Sequence, residues 1–190
     1  GGGGGTSNNS QGSGGGGGSS YANLDYITNF TTESGQNYGD GSVAITALDA
    51  TAAANLGNIT ASSVTAAVSD NVTFTGTIGS AVVTVASGKT FTSTAAIVTG
   101  ETIGGDGTVA ITALDATSNA NLGNITANSV TAAVSDNVTF TGTIGSAVVT
   151  VASGKTFTAA AAVVTTETIN GDGSVAVTAV NATAGTDLSN

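Results

Sequence analysis

The stretch DGSVAITALD at residues 40–49 returns almost unchanged as DGTVAITALD at residues 106–115, and it begins a third time as DGSVAVT at residues 172–178. The copies start at positions 40, 106 and 172, which gives a constant interval of 66 positions. A long identical run, residues 64–79, also returns as residues 130–145. Near-identical copies at a fixed interval are typical of a linear array of structural units rather than of one closed core.

The repeat divides the chain into five segments. Residues 1–20 consist mainly of Gly, Ser and Asn and predict a flexible tether or an assembly arm. Residues 21–39 predict a first coil or junction segment. Repeat 1 then covers residues 40–105, repeat 2 covers 106–171, and a partial third repeat covers 172–190.

Alternating apolar and polar residues predict short strands throughout the repeats. Residues 72–78 are the clearest case, because one face would carry the apolar side chains and the other the threonines: Val72, Phe74 and Ile78 against Thr73, Thr75 and Thr77. The same alternation occurs at residues 43–46, 83–85 and 90–94, with Gly, Asn, Asp and Ser between them. No segment has a sustained helical period with caps, so we expect no long helix.

The spacing of the strand anchors predicts how often the chain turns. The anchors that fill one repeat follow one another at intervals of 15 to 18 positions: Val43, Ile59, Phe74, Phe91 and Val109. We therefore expect about four coils per repeat and about nine in the chain, each stacked in parallel on the next. The predicted fold is all-β, a parallel β-solenoid (β-helix) preceded by a flexible Gly-rich tail. Small residues should fit its narrow interior: Ala47, Ala66, Ala67, Ala95 and Ala96.

A pair of immunoglobulin-like sandwiches is the competing fold. Such a sandwich usually has about 100 residues and often a core Trp. The repeat, from position 40 to position 105, is shorter than that, and the chain has no Trp. The sequence therefore favours the solenoid over the sandwich.

Composition excludes several classes of function. The chain of 190 residues has a formal charge of −10, with only two basic residues, Lys89 and Lys155, so we expect no nucleic-acid partner. No apolar run reaches the roughly 20 residues that span a membrane. The absence of Cys and His removes the usual zinc and copper ligands. We expect no enzyme and no resident cofactor. A composition without Cys occurs in extracellular repeat proteins and in cytosolic proteins alike, so composition leaves the location open.

Carboxylates are the only residues left for acid–base or metal chemistry. Equivalent Asp residues of successive repeats should lie about 20 Å apart, beyond the separation of paired glycosidase carboxylates. Asp in Gly-Asp-Gly and Ser-Asp-Asn corners is expected to cap its own turn. Calcium at residues 104–107 and 170–173 is the one metal hypothesis left open, although a single carboxylate is few for that ion. The predicted catalytic, cofactor and metal sites are therefore none.

The Thr-, Val-, Ala-, Gly- and Asn-rich repeats of residues 42–190 resemble bacterial extracellular β-solenoid proteins of the adhesin and surface-fibre type. The resemblance is one of composition and repeat pattern, and it implies a cohesive or adhesive role at the cell surface. The Gly-rich start resembles the spacer of bacterial surface lipoproteins, which implies a lipid anchor at the N-terminus as an option. A monomeric adhesin stalk or ligand-binding surface protein is the alternative function.

The two ends look complementary and uncapped in sequence. The chain stops at Asn190 in the phase of Asn58, and residues 23–28 echo residues 55–60. A head-to-tail contact that does not close generates a filament. We therefore expect a structural subunit that forms a head-to-tail homopolymer, an extracellular filament or surface fibre of a biofilm matrix. The expected assembly residues are Tyr21, Leu24, Tyr26, Ile27, Phe30, Tyr38, Leu188 and Asn190.

Outward ladders of threonine give a third functional hypothesis. Flat Thr ladders resemble the ice-binding faces of β-solenoid antifreeze proteins. Against it, Thr94 of repeat 1 becomes Ala160 in repeat 2. Threonine is also a common exposed strand residue without any such role.

Overall fold

The computed structural model describes residues 30–32 and 41–180. It is an all-β structure in which short strands follow one another at turns rich in Gly, Asn, Asp and Ser. Fourteen strands lie in the described ranges. They are β1 Phe30–Thr32, β2 Ser42–Ile45, β3 Ser63–Val68, β4 Val72–Thr73, β5 Val82–Val85, β6 Thr90–Thr94, β7 Ile103–Gly104, β8 Thr108–Thr112, β9 Ser129–Val134, β10 Val138–Phe140, β11 Val148–Val151, β12 Thr156–Ala160, β13 Ile169–Gly171 and β14 Ser174–Thr178.

Helical structure in the described ranges is limited to single turns. Two α-helical turns, α1 (Ala95–Val98) and α2 (Ala161–Val164), follow β6 and β12, and two 3-10 turns occupy Leu48–Ala50 and Leu114–Ala116. No side chain caps the start of any of them. The expectation that the chain has no long helix is confirmed for this part of the sequence.

The strands form three sheets, and within the described residues all strand pairs except β1–β2 are parallel. The first sheet has the order β1-β2-β3-β5-β7, the second β4-β6-β8-β9-β11-β13 and the third β10-β12-β14. The second and third sheets begin at equivalent positions of the two repeats, β4 and β10. Parallel pairing argues against the immunoglobulin-like sandwich, whose sheets are antiparallel.

The same series of registers recurs in each sheet. Along the second sheet, the parallel partners are 72 with 91, 90 with 108, 108 with 129, 131 with 148, and 149 with 169. The steps between these partners are 19, 18, 21, 17 and 20 positions. The first sheet has steps of 21, 17 and 20 positions. The third sheet has steps of 19 and 18 positions. Repeat 1 and repeat 2 therefore use the same pairing geometry.

These registers correct the predicted coil length. Val43 pairs with Val64 rather than with Ile59, and Ile59 lies in none of the strands. The prediction of about four coils per repeat is therefore wrong. It assumed that successive apolar anchors stack on one another, whereas they lie on different faces of the structure. Isolated bridges join Asn55 to Thr77 and Asn121 to Thr143, and each of these steps is one third of the repeat interval.

The core lies between the inward faces of the sheets. The predicted alternation is confirmed, because Val72, Phe74 and Ile78 are buried while Thr73, Thr75 and Thr77 are exposed. The buried rings of Phe74 and Phe91 lie 5.5 Å apart between centroids, and Phe140 and Phe157 repeat this contact. Such aromatic pairs add to the free energy gained from burying apolar area.

The small residues expected in the interior divide between inside and outside. Ala66 and Ala95 are buried, with 2% and 0% of their surface exposed. Ala47 and Ala67 are half-buried and Ala96 is exposed. The strand period explains Ala67, since it follows the inward Ala66 and must point to the opposite face.

Candidate assembly site at the ends of the sheets

The predicted assembly residues fall almost wholly outside the described part of the chain. Tyr21, Leu24, Tyr26, Ile27 and Tyr38 lie in residues 1–29 and 33–40, and Leu188 and Asn190 lie in residues 181–190. Phe30 alone lies in a described element, as the first residue of β1. The structure therefore neither brings these residues together nor separates them, and their role stays a prediction.

The N-terminal edge of the first sheet carries an antiparallel strand. In β1, Phe30 is the partner of Ile45, Thr31 of Ala44 and Thr32 of Val43 in β2. A first coil that continued the array would place a parallel strand on this edge. Within residues 30–32, the segment predicted as a first coil or junction instead pairs in the opposite direction, which departs from an all-parallel fold.

The C-terminal end has a different character. In the described part of the chain β14 is paired on one edge only, with β12. The equivalent strands of the earlier repeats have a parallel strand on that second edge: β8 pairs with β9, and β2 pairs with β3. The outer edge of β14 is therefore an interior edge of the repeat that has no partner among the described strands.

Apolar side chains at this end are exposed where their equivalents are buried. Val175 is 44% exposed, whereas its equivalent Val109 is 0% exposed. Val180 is 47% exposed, and its equivalent Leu114 is 0% exposed. Repeat phase alone would have identified both positions, because each stands one full repeat after a buried apolar residue. Neither valine is among the predicted assembly residues.

Carboxylates at the corners tie neighbouring strands together. Oδ1 of Asp49 accepts a hydrogen bond from the backbone N–H of Ser69 at 2.6 Å, and Asp115 accepts the same bond from Ser135 at 2.7 Å. These carboxylates bind the next corner rather than capping their own turns. The residue that completes each contact is 20 positions further along the chain. Asp49 and Asp115 lie outside the Gly-Asp-Gly and Ser-Asp-Asn corners for which turn caps were predicted.

Asp70 caps its own turn and also contacts a residue at the start of a neighbouring strand. Its Oδ1 accepts the N–H of the next residue, Asn71, at 2.8 Å, which confirms the predicted turn cap, and it also lies 3.0 Å from Nζ of Lys89. The backbone N–H of Asn71 and then the Lys89 ammonium hold the pKa of Asp70 below its ordinary value. The equivalent group Asp136 also has a lowered pKa, through Lys155 and then Asn137.

The remaining carboxylates bear on the predictions about metal sites. Among the described residues no three of Asp, Glu, His or Cys are grouped so that they could hold a metal ion. Asp106 and Asp172, the residues of the calcium hypothesis, are both exposed. The hypothesis stays a prediction, because these residues carry no further observation.

One recess lies near the C-terminal end, between residues 145–148 and 166–168, with a volume of about 150 Å³. Burial raises the pKa of its carboxylate, Glu167. The hydroxyl of Ser146 in the same recess donates to the carbonyl oxygen of Ile125 at 2.8 Å. That hydroxyl therefore joins two segments that lie 21 positions apart in the chain.

The outward threonines form interrupted ladders. Thr73 is the partner of Thr92, but Thr92 then pairs with Ala110, and Thr131 pairs with Val148. In the third sheet Thr139 and Thr158 are followed by Ala176. The prediction of continuous Thr ladders is therefore wrong, because the register places different positions of the repeat next to each other.

Comparisons of the chain with protein-family models, with curated proteins and with solved structures found no match. In the described residues no helix has the length and apolar character needed to cross a bilayer. Fold and site together define an all-β protein of repeated parallel strands, with carboxylate contacts at its corners and a last described strand, β14, that has one partner among the described strands.

Proposed function

We propose that this chain is a structural, non-enzymatic β-solenoid that self-assembles end to end as a subunit of an extracellular filament or surface fibre. The observation that carries the proposal is the recurrence of the same parallel registers in repeat 1 and repeat 2, for example Val43 with Val64 and Val109 with Val130. An array built from one recurring nearest-neighbour contact can be lengthened by a further layer.

The registers support the solenoid part of the proposal. Each of the parallel steps moves the chain 17 to 21 positions along the sequence and one strand along a sheet. A solenoid requires such a step at every turn. The bridges from 55 to 77 and from 121 to 143 each span one third of the repeat interval, which supports three coils for each repeat.

The contacts within the array support a mechanical rather than a catalytic role. Buried apolar side chains run along both repeats, and the buried side-chain polar atoms in the described residues all have hydrogen-bond partners. Corner contacts such as Asp49 with Ser69 join each turn to the next. An array built of identical nearest-neighbour contacts can be lengthened without a new kind of contact.

The contact between subunits is an end-to-end one in this proposal. The sequence predicts a head-to-tail homopolymer. The extracellular location and the fibre role rest on the resemblance to bacterial surface-fibre repeats and on the Gly-rich residues 1–20.

Electron microscopy and fibre diffraction of the purified chain test the proposal. We expect fibres whose diffraction contains a repeat of about 4.8 Å along the fibre axis, because the strands would lie across that axis. Particles that remain single rods at high protein concentration would contradict self-assembly and favour the monomeric adhesin stalk. Compact particles without a rod shape would contradict the solenoid itself.

A further inference from the structure

Equivalent strands of repeat 1 and repeat 2 lie in different sheets. β2, β3, β5 and β7 belong to the first sheet, whereas their equivalents β8, β9, β11 and β13 belong to the second. β4, β6 and β8 lie in the second sheet, and their equivalents β10, β12 and β14 form the third. An interval of 66 positions therefore moves each of these strands to the next sheet.

The three sheets are three sides that the chain visits in order. After β8 in the second sheet, the 3-10 turn Leu114–Ala116 packs against β10 of the third sheet and against α1. Ile125 then forms a bridge with Ile103 of the first sheet, and β9 returns to the second. β10 follows in the third sheet. One turn of the chain therefore passes all three sides before it reaches the same side again.

The number of turns in one repeat follows from the partners of β2. β2 pairs with β3, β3 with β5 and β5 with β7, so each of three turns brings the chain back to the first side. The equivalent of β2 is β8, which follows β7 in the chain but lies on the second side. One repeat therefore makes three turns and then advances by one side. Three intervals of 66 positions would make ten turns and return to the starting side.

A repeat of exactly three turns fits these registers less well. It would need an average step of 22 positions, which the bridges of Asn55 with Thr77 and of Asn121 with Thr143 have. The steps within the sheets are shorter, from 17 to 21 positions. Three of them cover fewer than the 66 positions of the repeat, and the remaining positions carry the chain onto the next side.

The corner contacts change their place in the same way. Asp70 lies between β3 of the first sheet and β4 of the second, and it pairs with Lys89. Its equivalent Asp136 lies between β9 of the second sheet and β10 of the third, and it pairs with Lys155. The two ion pairs have the same length, 3.0 Å, but occupy successive corners. The outer surface of the repeat therefore turns together with its strands.

We propose that the repeat is a screw unit of a three-sided rod, in which each repeat presents its outer surface one third of a revolution around the axis from the preceding repeat. At about 4.8 Å per layer, three and one third layers advance about 16 Å along the axis. This arrangement rests on the solenoid part of the proposed function, and it specifies how the rod presents its surface to partners.

The screw determines which partners the rod can bind repeatedly. A partner that binds the outer surface of one repeat meets the same surface on all three sides, at steps of about 16 Å along the axis. Equivalent surfaces on one side recur only after ten layers, about 48 Å. The rod therefore fits a compact partner that binds in several copies around it, rather than one that lies along a single side. This favours a fibre with like contacts on all sides over a stalk with one adhesive side.

Pairs of spin labels on the full chain test the proposal, since the chain has no native Cys. Thr65 in β3 and Thr131 in β9 are equivalent positions of the two repeats, and both are exposed. Thr73 is also exposed. It lies three layers from Thr131 on the same side, because successive register partners in the second sheet connect the two residues. T65C/T131C and T73C/T131C are therefore matched variants that share one label site.

We expect dipolar broadening in the spectrum of T73C/T131C, because three layers separate its labels by about 14 Å. T65C/T131C should show much less broadening, since its labels lie on different sides and point in different directions. Dilution with unlabelled protein removes broadening between chains. A repeat of exactly three turns predicts the opposite order, with Thr65 rather than Thr73 on the side of Thr131. That order, or equal broadening in the two variants, would overturn the proposal.

A single label at T131C provides a second measurement that does not depend on the folding of a double variant. It should weaken the backbone amide NMR signal of Thr73 more than that of Thr65, and the opposite order would contradict the screw. Because Thr131 is exposed, the variant should keep the circular dichroism spectrum of the wild type.

These measurements do not depend on fibre formation, so they separate the screw from the proposed function. Single rods that give the expected order would leave the screw in place and contradict self-assembly. Fibres formed by a chain that gives the opposite order would support self-assembly and overturn the screw.

Discussion

Nζ of Lys89 lies 3.0 Å from Oδ1 of Asp70, 19 positions earlier in the chain. Asp70 stands just before β4 and Lys89 just before β6, and these two strands are parallel neighbours. The ion pair therefore joins the starts of adjacent strands. Lys155 and Asp136 form the same pair one repeat later, at the same distance of 3.0 Å. Both basic residues of the chain are used in this way.

Replacing Lys89 by Met should raise the pKa of Asp70 towards its ordinary value, about 3.9. The pKa should stay below that value, because the N–H of Asn71 still donates to the carboxylate. A lowered carboxyl pKa stabilises the fold above the unfolded-state pKa, and this effect is lost as the pH falls through the folded-state pKa. Carboxyl titration by NMR, with urea unfolding at pH 7 and pH 2, would measure both effects.

Lys89→Arg is the matched control for that variant, since it keeps the charge. We expect the loss of stability in Lys89→Met to be present at pH 7 and absent at pH 2. An equal loss at both pH values would mean that the aliphatic part of the lysine, rather than its charge, makes the contribution. Added salt should reduce the difference between the two variants, because the pair is exposed.

Gly142→Ala should destabilise the fold strongly, by about 2–4 kcal/mol in the free energy of unfolding. A methyl group at this position would clash with the carbonyl oxygen of Ala120, a backbone atom in the preceding turn. Gly123→Ala is the matched control, because its nearest neighbours are side-chain atoms of Asn121 and Thr143 at 3.3 and 3.5 Å. Similar urea midpoints for both variants would contradict the close approach at Gly142.

Ser93→Ala should cost about 1 kcal/mol of stability. Ser93 is 2% exposed, and its hydroxyl donates to the carbonyl oxygen of Phe74 at 2.8 Å. Repeat 2 has Ala159 at this position, so the chain contains its own comparison. Ala159→Ser should raise stability by a smaller or similar amount if the added hydroxyl reaches Phe140. No loss in Ser93→Ala, measured by urea unfolding, would show that this hydrogen bond makes no net contribution.

Glu101→Gln should stabilise the protein at neutral pH. Burial raises the pKa of Glu101, so the ionised form is less stable in the folded state than in the unfolded chain. The folded state binds the proton more tightly, and stability therefore falls as the pH rises from the unfolded-state pKa through the raised folded-state pKa. We expect the variant to have the higher melting temperature at pH 7 and the two proteins to converge near pH 4. A difference independent of pH would contradict this explanation.

Alternation of apolar and polar residues predicted the strands only in part. The predicted strand at residues 72–78 keeps its alternating burial, but only Val72–Thr73 of it forms a strand, β4. Residues 90–94 were predicted as a strand and form β6, and residues 83–85 lie within β5. β3, residues 63–68, was not predicted, because it contains two adjacent alanines that hide the alternation between Ala66, which is buried, and Ala67. Small side chains mark the two faces of a strand only weakly.

Partners along the sheets were not predictable from spacing. The step between parallel partners varies from 17 to 21 positions, since the turns and short helices between strands differ in length. Evenly spaced apolar anchors were therefore a poor guide to stacking. The uneven step also explains why the predicted Thr ladders are interrupted. Thr92, for example, is the partner of Ala110 rather than of another threonine.

The sequence by itself determined the interval of the repeat, the β class and the identity of the buried Phe and Val positions, because alternation and repetition are properties of the chain alone. Only the tertiary structure decided which strands are neighbours, that β1 runs against β2, and that Val175 is exposed where Val109 is buried. The physical reason is that the burial of a strand's side chains depends on the layer that packs beside it. Two nearly identical stretches therefore differ in exposure when one has strands on both edges and the other has a described partner on one edge only.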